Sequence, residues 1–141
     1  MQLKRLISLS VLTVLLVSAC NSAKSSNDKL EQAAARGRVA YKQYKTADYQ
    51  TAKAALLDNI KFRDQLAASE PGFTDMFNQD ATLDYLRLDK LEKKNNGPDE
   101  ARYMAEAISR CEKGSVKDKG NSCSADALRA MVDKVDTIPA K

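Results

Sequence analysis

Tyr44-Lys45-Thr46-Ala47-Asp48-Tyr49-Gln50-Thr51-Ala52 joins two stretches of helical periodicity. Upstream, Leu30, Ala34, Gly37, Tyr41 and Tyr44 recur at alternating spacings of four and three. That is one face of a helix, predicted from Asp28 to about Lys45. Downstream, Tyr49, Ala52, Leu56 and Ile60, with Phe62 and Leu66, give an apolar side to a second helix, from Asp48 to about Ala68. Thr46-Ala47-Asp48 breaks the run, and Asp48 suits the cap or the first turn of the second helix. So short a break predicts a helical hairpin.

Glu70-Pro71-Gly72 ends the second helix. A short helical turn is expected near Phe73–Phe77, then a helix from about Asp80 to Lys94. Its Leu83, Tyr85, Leu86, Leu88 and Leu91 point nearly all round the axis, the pattern of a helix sandwiched between neighbours. Asn95-Asn96-Gly97-Pro98 is a turn, with Pro98 fit for a first helical position and Asp99 and Glu100 for a first turn. The fourth helix is expected to run to about Lys113, with Ala101, Met104, Ala105, Ile108 and Cys111 on one face. Gly114–Asn121 is a polar, glycine-bearing loop. Ser122 or Ser124 caps a last helix that turns Leu128, Met131, Val132 and Val135 inward and ends by Val135, before Pro139. No segment alternates as a strand does. The expected class is all-α, with about five helices in antiparallel hairpins.

The turn at 44–52 also resembles that of the tetratricopeptide (TPR) repeat: aromatic, two polar residues, Gly, Asp, Tyr, two polar residues, Ala. Tyr49 and Ala52 match the positions that wedge the two helices, and Leu56 fits the later large one. Val39-Ala40 stands where Leu-Gly is common, and Ala47 replaces the Gly. Gln43 departs from a tyrosine, Asn59 from an alanine, and no Pro closes the unit. A weaker echo from Leu88 to Ile108 carries Gly97, Ala101 and Ala107-Ile108, about fifty residues on, against a family period of 34. The resemblance implies TPR-like hairpins over 29–138 and a peptide groove near Tyr41 and Tyr44. An unrelated antiparallel bundle, with both tyrosines in its core, is the other reading.

At the N-terminus, Lys4 and Arg5 precede an apolar run of about a dozen residues, Leu6–Val17, and then Val17-Ser18-Ala19-Cys20. The run is short for a span, which takes about 20 apolar residues; an uncleaved anchor is the rival reading. Val17–Cys20 resembles the lipobox of bacterial lipoproteins. The resemblance implies a signal peptide over 1–19, cleavage before Cys20, and diacylglyceryl and acyl chains on Cys20 that hold the protein to a membrane. In that family Asp after the cysteine marks inner-membrane retention. Asn21 stands here, which implies the outer membrane, periplasmic face, with the inner membrane as the alternative. Residues 20–28 are polar and small and read as a lipidated tether; a coil of about eight residues spans roughly 16 Å.

The formal charge is +4. Taking away Lys4 and Arg5 leaves +2, and acylation removes the amine charge of the new terminus, so the mature chain is nearly balanced and no nucleic-acid partner is expected. The lysines between Lys90 and Lys119 alternate with Glu92, Asp99, Glu100, Glu106, Glu112 and Asp118, the pattern of a solvated face. Histidine is absent, which removes the usual general base and metal ligand. Neither a catalytic nor a metal site is expected, and no cofactor. Asp75, Asp80, Asp84 and Asp89 read as ordinary solvated acids. With Cys20 lipidated, Cys111 and Cys123 remain, and in an oxidising periplasm they are expected to pair. The functional expectation is therefore an outer-membrane-anchored adaptor that is no enzyme and binds an envelope protein or peptide, with Tyr41 and Tyr44 as candidate partner-binding residues. The alternative is an inhibitor or immunity-type lipoprotein that neutralises an envelope-active enzyme.

Overall fold

A computed structural model describes the backbone of residues 3–114 and 122–138, and the side chains of those ranges from residue 25 onward. Five α-helices succeed one another: α1 (Leu3–Thr46), α2 (Tyr49–Ser69), α3 (Thr74–Asn95), α4 (Glu100–Lys113) and α5 (Ala125–Asp136), with a 3₁₀ turn, Pro71–Phe73, before α3. No strand occurs among the described residues, and the fold is all-α. The chain divides into two compact units, residues 1–35 and 36–141. The last turns of α1 belong to the second unit, which also holds α2 to α5. Among the described residues no helix is long and apolar enough to cross a membrane.

Cross-helix contacts fix the directions. Tyr49, Asn59 and Arg63 of α2 meet Glu92, Asp84 and Asp80 of α3, ascending against descending numbers, so the two run antiparallel. Tyr85 and Asn78 of α3 meet Tyr103 and Arg110 of α4 in the same sense. Two clusters make up the core. Ala40, Ala52, Leu56, Ile60, Leu88, Leu91 and Tyr103 join α1, α2, α3 and α4. Leu86, Met104, Ala107, Cys111, Leu128 and Val132 join α3, α4 and α5. α3 contributes to both, as its all-round apolar pattern predicts.

Local chemistry sets the helix ends. The Asp48 carboxylate accepts from Thr51 N–H at 3.0 Å and caps α2. Ser124, one of the two expected serines, caps α5 by accepting from Ala127 N–H at 3.3 Å. Asn96 closes α3 in the left-handed region, φ 52°, a conformation that asparagine tolerates better than most residues.

Some boundaries differ from expectation. α1 is continuous through 21–28, where the sequence predicts a coil; that stretch is polar but has neither Pro nor Gly to stop a helix. α3 begins at Thr74 rather than Asp80, because Phe77, Asn78 and Ala81 are buried and packing carries the helix back. On α4 the inward face is Tyr103, Met104, Ala107 and Cys111, whereas Ala101 and Ala105 are exposed. The large Tyr103 ring takes the core position that a stripe drawn through the alanines had missed.

Candidate functional site

The acids of α3 are its least expected feature. Asp84 is 4% exposed, Asp89 1% and Glu92 0%. The expectation of solvated acids fails for Asp84 and Asp89, and that of a solvated face fails at Glu92. It holds for exposed Asp75, while half-buried Asp80 is paired with Arg63. The reason lies in the helix itself: a helix packed on several sides leaves its polar positions between neighbours, where each must find a partner.

Each buried acid has partners outside α3, Glu92 and Asp84 on α2 and Asp89 on α5. Glu92 accepts from the Tyr49 hydroxyl at 2.6 Å, the Lys53 ammonium at 2.7 Å and Asp99 N–H at 3.0 Å. Burial alone would raise its pKa, but these donors outweigh burial and hold it below the usual value. Lys53 is pushed up, by Glu92 first and also by Asp99. Gly97 is glycine for a spatial reason: a Cβ there would collide with the Glu92 carboxylate. Asp89 faces the Arg129 guanidinium of α5 at 3.4 Å. Asp84 accepts from Asn59 Nδ2 at 2.6 Å and Arg87 Nη1 at 3.0 Å, and burial, the largest influence, raises its pKa against both. These contacts tie helices together. Among the described residues no group of His, Cys, Asp or Glu is placed to hold a metal ion.

Of the sequence-derived candidates, Cys20 lies outside the residues whose side chains are described. Cys111 and Cys123 are bonded, with Cα atoms 5.8 Å apart, and the bridge pins the start of α5 to the end of α4. Of the polar loop Gly114–Asn121, residues 115–121 lie outside the described chain. Tyr41 and Tyr44 are both half-buried on α1, their ring centroids 6.2 Å apart. The structure brings them together with Arg87 and with the end of α5. Arg87 lies over the Tyr41 ring at 4.6 Å. It also donates twice to Asp136 Oδ1, at 2.9 and 3.1 Å. The Tyr41 hydroxyl donates to the Asp136 main-chain oxygen at 3.4 Å, and Lys45 reaches the same oxygen at 3.5 Å. One helical turn back, Asp133 accepts from Lys90 at 2.7 Å. Tyr44 has its pKa raised, by burial first, with Lys90 and Arg87 opposing and Asp136 adding to the rise.

The face of α1 and α3 is therefore a strip of tyrosines and cations that receives the acidic end of the chain's own last helix. Arg87 and Asp136, which complete it, were missed from sequence. The signal available was charge: two acids one turn apart near the end of α5, and cations at 45, 87 and 90. Beyond the seat of Asp136 the strip continues into an open hollow of ≈ 330 Å³, lined by Tyr44, Lys45, Lys90, Leu91 and Lys94. A separate open groove of ≈ 520 Å³ lies across α2 and α3, with Leu57, Ile60, Ala68 and Tyr85 among its lining and Lys61, Asp64 and Gln65 beside them.

No family model matches the chain, and neither a curated protein nor a solved structure matches it significantly.

Proposed function

We propose that this protein is a lipid-anchored adaptor of the bacterial envelope, held at the periplasmic face of the outer membrane through Cys20, whose TPR-like hairpins bind a partner protein or peptide. One observation carries the binding reading. The face that the TPR resemblance assigns to peptide, around Tyr41 and Tyr44, holds a polypeptide segment already, the end of α5, by carboxylate and main-chain contacts. Such contacts recognise polypeptide in general, because every residue of a partner brings a carbonyl oxygen and acids bring the second group. The buried ionic groups support the same reading, since Glu92, Asp84 and Asp89 are engaged in joining helices rather than converging on an open cavity. The anchor reading rests on Val17-Ser18-Ala19-Cys20.

The test is site-specific photo-crosslinking in growing cells. A photoreactive residue at Lys94, beside the hollow, should give one discrete heavier adduct in the envelope. The same residue at Asp58, exposed on α2 and engaged with Arg36, should give none. Absence of any adduct from Lys94, and from Lys61 in the second groove, would remove the adaptor.

A further inference from the structure

The open hollow has a composition that names its occupant. Of its five lining residues three are lysines and none is acidic; Tyr44 and Leu91 supply the apolar part. Two of the lysines show what the surface holds in the neighbouring position: Lys90 takes the Asp133 carboxylate and Lys45 the Asp136 carbonyl. Lys94 is exposed, with no hydrogen bond or ion pair among the described residues. Lys45 and Lys94 stand in the last turns of α1 and α3, where a cation complements the helix dipole. That accounts for a positive charge at each helix end. It leaves donors of both ammonium groups for a further acceptor, since each carries three.

We propose that the hollow is the docking site for an acidic peptide segment of the partner protein, laid beside the chain's own Asp133–Asp136 turn. This rests on the adaptor reading and adds to it the partner's charge and the place of contact. A carboxylate reaches Lys94 and Lys45, and the methylenes of the same side chain lie on Leu91 and the Tyr44 ring. The charge on both sides agrees with the occupant already seated: acids of α5 on cations of α1 and α3. A polypeptide is favoured over an anionic lipid headgroup because the adjoining subsite donates to a main-chain carbonyl, which is a peptide group.

The test uses the full-length chain in a non-ionic detergent and fluorescently labelled hexaglutamate as probe, followed by anisotropy. Hexalysine is the charge control. Inorganic phosphate and micelles containing phosphatidylglycerol are the competitors. Hexaglutamate should bind and hexalysine should not. Lys45→Gln with Lys94→Gln should weaken binding about tenfold, as should raising salt from about 0.05 M to about 0.5 M. Lys61→Gln, in the other groove, should leave it unchanged. Lys94→Arg keeps the charge and should bind as the parent does, which covers the case in which the double variant folds poorly. The proposal is overturned by three results: no binding of hexaglutamate, equal loss in Lys61→Gln, or displacement by phosphate or phosphatidylglycerol at comparable concentration. An adduct from Lys94 in cells together with any of these would remove the acidic partner and leave the adaptor standing.

Discussion

Replacing the fully buried Glu92 by Gln removes one charge and changes the side-chain volume hardly at all. The parent carboxylate accepts three hydrogen bonds, two at Oε1 from Tyr49 and Lys53 and one at Oε2 from Asp99 N–H. A glutamine has a single acceptor oxygen. If that oxygen keeps Tyr49 and Lys53, the new NH₂ faces the Asp99 N–H, donor against donor; if it turns, the NH₂ faces the ammonium. Either way a hydrogen bond to a charged group goes and a donor is left unpaired, a loss of about 2–3 kcal/mol. Lys53 keeps Asp99 at 3.0 Å and some solvent contact, which holds the loss near that range and below that of an isolated buried charge. For a chain of this length the melting temperature should fall by roughly 8–12 °C at pH 7. The pH dependence gives a second, independent readout. The Glu92 pKa is depressed in the fold below its ordinary 4.5, so its contribution is present above that value and is lost as pH falls through the folded pKa. The gap between parent and Glu92→Gln should thus be full at neutral pH and shrink in acid below 4.5. Thermal unfolding followed by circular dichroism from neutral pH into acid reads both. A variant that melts with the parent at pH 7, or a gap that persists undiminished in strong acid, would refute the account of Glu92 as an ionised joint.

Cys20→Ser should abolish incorporation of labelled fatty acid and membrane pelleting; a variant that still pellets as an integral protein would sink the lipobox reading. Ala52→Trp should destabilise by about 1–3 kcal/mol through overpacking, because Ala52 is fully buried among Leu56, Ile60 and Leu88; a neutral effect on melting would mean the α1–α2 crossing is looser than this core requires. Alkylation without reductant should leave Cys111 and Cys123 unlabelled in protein exported to an oxidising periplasm, as mass spectrometry would register. Cys123→Ser should cost about 3 kcal/mol in denaturant titration, for a closed loop of separation 12.

The helices were legible wherever a stop residue or a cap announced them. Thr46-Ala47-Asp48, Glu70-Pro71-Gly72 and Asn95-Asn96-Gly97-Pro98 each mark the junction of two observed α-helices, and Asp48 and Ser124 cap where their side chains fit a cap. Ala52, Leu56, Ile60, Leu128 and Val132 were expected inside and are inside. The disulfide was legible from parity, Cys111 and Cys123 being the pair left once Cys20 is set aside, together with the oxidising compartment that the lipobox resemblance implies. The buried acids were not, although the premise for them was at hand. A helix apolar all round its axis has no solvated face, so Asp84, Asp89 and Glu92, set among Leu83, Leu86, Leu88 and Leu91, had to lie between neighbours. Spacing of charges along the chain pointed instead to solvent, because it ignores what packs on each side. Asn59 belongs to the same lesson. It departs from the alanine of the TPR pattern, and the departure has a partner far along the chain, Asp84, which local sequence cannot reveal.

The three buried acids of α3 also say how so short a chain fixes the place of each helix. Its core is rich in alanine and leucine, which pack acceptably in several registers. A carboxylate does not, since it needs one particular donor at one position. Asp84 requires Asn59 of α2, Asp89 requires Arg129 of α5, and Glu92 requires Tyr49, Lys53 and the turn into α4. α2 is thereby keyed at two points, the turn into α4 at one, and α5 at one. The keying of α5 matters most for the proposed peptide site, because the Arg129–Asp89 pair and the Cys111–Cys123 bridge act before the helix reaches Lys90 and Arg87. They decide that Asp133 and Asp136, and not another turn, arrive at the tyrosine and lysine strip. On this reasoning Asp89→Leu keeps a compact helical protein yet loosens the end of α5. Hydrogen exchange should show faster amide exchange over residues 131–136 with α2 unchanged. Faster exchange over α2 as well would mean that Asp89 supports the whole fold and has no separate part in placing α5.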